Sequence, residues 1–154
     1  MSLLNESNEK FIKVLRKNQS SKLPKKATTG SAGFDLYADM EDEIRIEPGD
    51  LVKIPTGISI SLPNSSYVAL IFARSGLAVN HGITLSNGVG VVDSDYRGEI
   101  MVGLCNLSQK PYTIKPQERI AQMVVMPISN LSLLEVLRLG DTVRGENGFG
   151  STGK

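Results

Sequence analysis

The sequence predicts an all-β domain with one short helix, and three observations predict it. Apolar side chains alternate with polar neighbours at Ile44 and Ile46 and again at Ile58, Ile60 and Leu62. That two-residue period belongs to half-buried strands. Turn signals recur between the apolar stretches, at Glu47-Pro48-Gly49-Asp50, Leu62-Pro63-Asn64 and Lys115-Pro116-Gln117. The 154 residues, 40% hydrophobic and 21% charged, fit one domain able to bury a core. Many short strands between regular turns read as a sandwich, a jelly roll or a barrel.

In chain order, the polar stretch Met1 to Lys10 is expected to be disordered. Phe11 to Leu15 reads as the first strand, and Ala32 to Ala38 as an apolar, strand-like run. The Ile44–Ile46 and Ile58–Leu62 alternations follow, then Tyr67 to Phe72. Ser75 to Asn80 is the best place for the short helix, with Ser75 as its cap. Asn87 to Ile100 looks like a hairpin ending in an acidic, aromatic turn. Met101 to Leu104, Tyr112 to Ile114, Met123 to Met126 and Leu131 to Val136 are the remaining strand candidates. No internal repeat is visible. The domain is expected to span residues 11–143, and residues 144–154 to form a flexible, glycine-rich arm.

Composition narrows the chemistry. A formal net charge of +1 gives no global field toward nucleic acid or an anionic membrane, so any bound anion needs a local constellation. Cys105 is the only cysteine, which excludes an intrachain disulfide and a cysteine zinc cluster and suits a reducing, cytoplasmic compartment. No apolar run reaches the roughly 18–20 residues of a membrane span, and the polar N-terminus does not resemble a signal peptide.

Ala73-Arg74-Ser75-Gly76 follows an apolar strand and opens the helix. A helix start offers free N–H groups and the positive dipole end to phosphate, and Arg74 adds a planar donor fork. Read alone, the same four residues also describe an ordinary cap beside a surface arginine. Asp93 and Asp95 lie beside Tyr96 and Arg97. An Asp there can activate water, a Tyr can lie against a sugar, and both acids also suit turn chemistry or a bridge to Arg97. Two carboxylates do not complete a Mg²⁺ shell, so such an ion takes substrate phosphates and waters for the rest. Asp35 stands inside an apolar run, where a carboxylate is costly unless paired; it is either a structural anchor or a site residue. His81 is the single histidine, and a Ser-His-Asp relay would have to pass through it. In the tail, Phe149 sits between glycines, with Arg144 upstream and Ser151-Thr152 downstream. That pattern is either a frayed end or an arm that closes over a ligand.

Together these segments resemble the five motifs of the homotrimeric dUTPase family. They are Ala32 to Ala38, Ala73 to Ala78, Gly90 to Ile100, Glu118 to Met123, and Arg144 to Gly153. The resemblance runs from about Phe11 to Gly153. It implies a jelly-roll β-barrel subunit of the dUTPase-like, β-clip type, and a homotrimer whose sites each draw on three chains. The first, second and fourth motifs would come from one subunit, the third from another and the tail from the last. The implied activity is hydrolysis of dUTP to dUMP and pyrophosphate with Mg²⁺, which limits uracil in DNA and supplies dUMP for dTMP synthesis. By this resemblance Asp93 is the base that activates the attacking water, and Tyr96 packs under deoxyribose and leaves no room for a 2′-hydroxyl. Asn87 and backbone groups near Gly90 and Val91 read uracil. Arg74, Ser75, Gly76 and Gln122 contact phosphates; Arg144, Gly150, Ser151 and Thr152 hold the terminal one, and Phe149 stacks on the base. Asp35 reaches the Mg²⁺ through water, the ion resting mainly on the triphosphate.

The tail departs from the family pattern at Asn147, where a second glycine is usual. Asn tolerates positive φ better than most residues. A dCTP deaminase of the same fold is the competing enzyme, but it needs a glutamate ten residues after the aligned Asp, and Gly103 stands there. A regulatory or binding protein on the same scaffold is the non-enzymatic alternative.

Overall fold

The computed structural model describes residues 11–146, and these form eleven strands and one helix. The strands are β1 (Lys13–Arg16), β2 (Phe34–Tyr37), β3 (Ile44–Ile46), β4 (Leu51–Pro55), β5 (Ile58–Ser61) and β6 (Tyr67–Ala73). Helix α1 (Ser75–His81) follows, then β7 (Ile83–Leu85), β8 (Gly90–Val92), β9 (Met101–Asn106), β10 (Tyr112–Ile114) and β11 (Arg119–Pro127). All pairings are antiparallel. The largest sheet runs β2-β11-β6-β8, a second runs β4-β9-β7, and β1-β5 and β10-β3 form two ribbons. The fold is the expected all-β jelly roll with one short helix.

The core gathers one apolar face from each sheet. Ile46, Ile54, Ile58, Leu104, Ile114, Ile120 and Met123 are essentially buried; alternation turns Arg45 outward between Ile44 and Ile46, whereas β9 and β11 bury consecutive residues, Leu104 with Cys105 and Ile120 with Ala121. Asn106 is buried at the end of β9 and is fully employed. Its amide donates to the Ile46 and Lys110 carbonyls at 3.0 and 2.8 Å, and its oxygen accepts the Ser108 N–H at 2.9 Å. It thereby fastens the β9–β10 connection to β3. Tyr112 donates its hydroxyl to Glu118 at 2.6 Å; burial, and then the adjacent carboxylate, push its phenol up to about 12.

Three expectations need correction. Leu131 to Val136 is not a strand; the stretch has no ladder partner, and Leu131, Leu133 and Leu134 are each more than 80% exposed. Alternation specifies a strand only where a face is available to bury it, and one chain provides none here. Ser75 is not the cap of α1. Arg74 occupies that position with extended backbone, and its guanidinium, which has donors and no acceptor, makes no cap bond to the first-turn N–H groups. Asn87 to Ile100 is not a hydrogen-bonded hairpin. The Asn87-Gly88 turn is real, with Gly88 at φ 71 and its N–H on the Leu85 carbonyl. Yet β7 pairs with β9 and β8 with β6, so the chain changes sheets there. The alternation also left β4 and β7 unmarked: β4 exposes Leu51 and ends in Pro55, and β7 is only three residues long.

Candidate active site

Strand order brings the first, second and fourth motifs together. β11 lies between β2 and β6, with Gln122 opposite Asp35 on one side and Phe72 on the other. A register shift between Arg119 and Ala121 breaks the ladder where β11 begins, and such bulges re-aim side chains. β6 ends at Ala73, so Arg74 and Ser75 emerge beside these residues. Asp35, Arg74, Ser75 and Gln122, with Gly33, line one pocket of about 280 Å³. A Cβ on Gly33 would lie 2.9 Å from the Gln122 amide oxygen, so glycine is what lets Gln122 lie over β2.

Asp35 has the partners that its apolar setting demands. Arg74 Nε donates to Oδ1 at 2.9 Å and Arg119 Nη1 to Oδ2 at 3.2 Å. Arg74 also reaches the Arg119 carbonyl, at 3.3 Å. The carboxylate is 12% exposed against 25% and 48% for the two arginine side chains. Two cations on one carboxylate leave the cluster net positive beside the start of α1. There the N–H groups of the first turn have no side-chain cap and no acidic neighbour, and a Cβ on Gly76 would meet nothing. Free N–H groups, a positive dipole end and a partly exposed guanidinium make a cradle for phosphate oxygens. Sequence reasoning placed Asp35 and Arg74 but missed Arg119 as the second partner. The only signal was the cost of a lone carboxylate, which requires a counter-charge without naming it.

The third motif builds a separate pocket of about 230 Å³. Asn87, Gly90, Val91, Asp93, Tyr96, Glu99 and Gly103 contribute to its wall, with Ile71 and Leu85 behind them. β8 is an edge strand, paired with β6 on one side only. A Cβ on Gly90 would lie 3.0 Å from Ile71 Cβ, so glycine permits this close approach. Asp93 follows β8, is exposed, and accepts the Tyr96 N–H at its carbonyl, at 3.2 Å. Arg97 turns to the Ser94 and Tyr96 carbonyls rather than to either acid, which leaves the Asp93 carboxylate clear of that bridge. His81 sits elsewhere, at the end of α1 against Tyr112, with ring centroids 4.7 Å apart. Arg144 is exposed; Phe149, Gly150, Ser151, Thr152 and the departure at Asn147 lie outside the described residues.

The two pockets share no lining residue. One is polar and cationic, the other combines a strand edge, a carboxylate and an aromatic ring. Such halves define a protein that handles a phosphorylated, ring-bearing small molecule on a jelly-roll scaffold. The chain belongs to the dUTPase family, whose model it matches over residues 19–153. It is 51% identical to a deoxyuridine 5'-triphosphate nucleotidohydrolase of Desulfitobacterium hafniense over 142 residues, covering 92% of this chain and 94% of that one. The counterpart in Neisseria meningitidis serogroup B is 49% identical, with 92% and 95% covered. Among solved structures, the dUTPase of Staphylococcus bacteriophage 80alpha with dUPNHPP superimposes with a TM-score of 0.84 at 24% identity, over 94% of this chain and 99% of that one. The dUTPase of S. aureus phage phi11, in a mutant form with a coordinated structural Mg(II) ion, gives 0.76 at 19% identity, over 85% and 99%. At that identity these two establish the shared fold.

Proposed function

We propose that the protein is a dUTP diphosphatase, hydrolysing dUTP to dUMP and pyrophosphate. The observation that carries this reading is the pocket in which the β8 edge, Asp93 and Tyr96 meet. The free edge of β8 offers backbone donors and acceptors to the uracil edge, with Asn87 beside it. Cytosine presents a donor where uracil has O4, so it would leave buried donors unpaired. Tyr96 packs under the deoxyribose. Asp93 takes a proton from a water as the water oxygen bonds to the α-phosphorus. The bond from that phosphorus to the bridging oxygen breaks, and pyrophosphate leaves with the electron pair. Arg74, the first-turn N–H groups of Ser75 and Gly76, and Gln122 hold phosphate oxygens. Arg144, Gly150, Ser151 and Thr152 clasp the terminal phosphate, and Phe149 stacks on the base. Reaction at phosphorus needs positioning and charge neutralisation more than covalent chemistry, so neither Cys105 nor His81 is needed.

Mg²⁺ fits this donor set as a substrate-borne ion. Among the described residues no three His, Cys, Asp or Glu groups converge as a metal site, and both Asp35 oxygens already accept from arginines. Asp35 would reach the ion through its water shell while the triphosphate supplies the inner oxygens. Bound there, the ion neutralises charge on the phosphates.

The working form is a homotrimer with sites shared between chains. Two features support it: the motifs fall into two pockets that share no lining residue, and Leu131, Leu133, Leu134, Leu137 and Leu139 lie exposed in the single chain. So large an apolar display marks a surface that a neighbour covers. In this reading residues 11–143 form the barrel domain and residues 144–154 the arm that reaches a neighbour's site. No described helix is long and apolar enough to cross a membrane, and the proposed setting is the cytoplasm. A deaminase role is set aside because that chemistry needs a glutamate ten residues after Asp93, and Gly103 stands there.

The test is product release from dUTP, dCTP, dTTP and UTP by the purified chain. Pyrophosphate should form from dUTP far faster than from the others. Ammonia from dCTP, without pyrophosphate from dUTP, would replace this reading with deamination.

A further inference from the structure

The loop carrying Asp93 and Tyr96 is fastened at its far foot to the start of β5. Ile100 donates its N–H to the Ile58 carbonyl at 2.9 Å, and its own carbonyl accepts the Thr56 hydroxyl at 2.6 Å. Glu99 adds two further ties. Its Oε1 accepts the Gly57 N–H at 2.8 Å, and its Oε2 lies 2.6 Å from Lys17 Nζ. The Glu99 side chain is only 14% exposed, so these partners matter more than a surface pair would. Lys17 and Gly57 are themselves joined, the Lys17 N–H donating to the Gly57 carbonyl at 2.8 Å. Gly57 is held at φ 67, and a Cβ there would run into Asp39 and Ser21; the donor facing Glu99 is therefore fixed in place.

What Glu99 holds is the backbone under the aromatic ring. The Glu99 carbonyl accepts the Tyr96 hydroxyl at 3.0 Å. A Cβ on Gly98 would collide with that hydroxyl, so the ring end rests against bare backbone. The ring is otherwise lightly supported, since Tyr96 is 46% exposed. Its position is set by the one carbonyl that the Glu99 side chain anchors.

We infer that Glu99 is a positioning residue for sugar selection. Its carboxylate, held by Gly57 and Lys17, fixes the carbonyl on which the Tyr96 hydroxyl rests, and so fixes the ring that excludes a 2′-hydroxyl. This inference rests on the proposed dUTP chemistry. Loosening the anchor lets the ring tilt. A tilted ring costs dUTP little, because the base and phosphate contacts remain, but it opens room for ribose. The effect therefore falls on discrimination more than on turnover.

The test compares kcat/KM for UTP and for dUTP in the full chain and five variants. Glu99→Ala and Tyr96→Phe should each raise the UTP-to-dUTP ratio about three- to tenfold, the range of one lost hydrogen bond. The gain should appear mainly as a lower KM for UTP. Glu99→Gln keeps an oxygen for the Gly57 N–H and should recover most of the discrimination. The double variant Glu99→Ala/Tyr96→Phe should gain nothing further, because both changes remove one support. Where Glu99→Ala does not fold, Lys17→Met decides: that side chain is half exposed, and its loss should raise the ratio at least about twofold. A folded Glu99→Ala with the wild-type ratio overturns the inference, as does an unchanged ratio in Lys17→Met when Glu99→Ala is unfolded. If the wild-type chain itself fails to prefer dUTP over UTP, the proposed function falls and takes this inference with it. A strong wild-type preference that no variant alters removes the inference alone.

Discussion

Asp93→Asn is expected to lower turnover of saturating dUTP by roughly 10²–10⁴-fold, the usual cost of a lost general base. The substitution keeps the shape of the side chain and removes the proton acceptor. Asp93 is exposed, and neither Arg97 nor another described cation bridges it, so its loss should not unsettle the fold. Substrate binding should change far less than turnover, because Arg74, Ser75 and Gln122 line the other pocket. Single-turnover kinetics beside a binding measurement with a non-hydrolysable analogue would separate the two. Near-normal turnover in this variant would mean that another group activates the water.

Deleting Gly145 to Lys154 is expected to leave a folded trimer that has lost nearly all activity. Every residue of the described core cluster, and every partly buried residue packed on it, lies between Ile12 and Val125. The deletion therefore removes none of the packing that holds the barrel. It removes the proposed stacking of Phe149 and the clasp of Ser151 and Thr152 on the terminal phosphate. Donors aimed at charge that develops in the transition state are typically worth about 10²–10³ in rate each; the arm's donors lie on the leaving pyrophosphate, where negative charge grows, so the combined loss should exceed that of one donor. Fixing the arm costs roughly 1–2 kcal/mol per residue in backbone entropy. Those contacts must offset that cost, which makes the arm's contribution depend on a complete triphosphate. The deleted chain should melt as the intact one does and scatter light as a trimer. A deleted chain with normal dUTP turnover would remove the arm from the mechanism.

The β periodicity was legible where apolar residues alternate with polar ones, as at Ile44/Ile46 and at Ile58/Ile60, although Ser59 between the latter pair is buried as well. It was not legible where burial is partial: β4 shows outward Leu51 and ends in proline. At Leu131 to Val136 the same pattern misled, because alternation marks a face suited to burial and the single chain packs nothing against it. The site was legible as motifs rather than as contacts. Asp35 announced a partner by its apolar setting, but only the β2-β11-β6 order supplies two arginines to it. Glu99 carried no signal beyond its place in the third motif. A glutamate in a turn reads as solvated, and its link to Gly57 spans 42 positions. Ser75 was misread as a cap because its residue type suits that position, but the helix starts one residue earlier than such a cap would place it, with Ser75 as its first residue and Arg74 at the cap position.

Sites built across chains are the central claim, and mixed trimers test it most directly. Asp93→Asn chains carry an intact arm, and chains lacking Gly145 to Lys154 carry an intact Asp93, so neither assembly alone is expected to turn over dUTP at a useful rate. After subunit exchange, a site that draws its base from a deleted chain and its arm from an Asp93→Asn chain is complete. In a cyclic trimer each mixed assembly holds one such site, so random 1:1 mixing should restore about one quarter of wild-type activity. Trimers verified as mixed that stay inactive would mean that base and arm act within one chain, and would contradict the shared-site account.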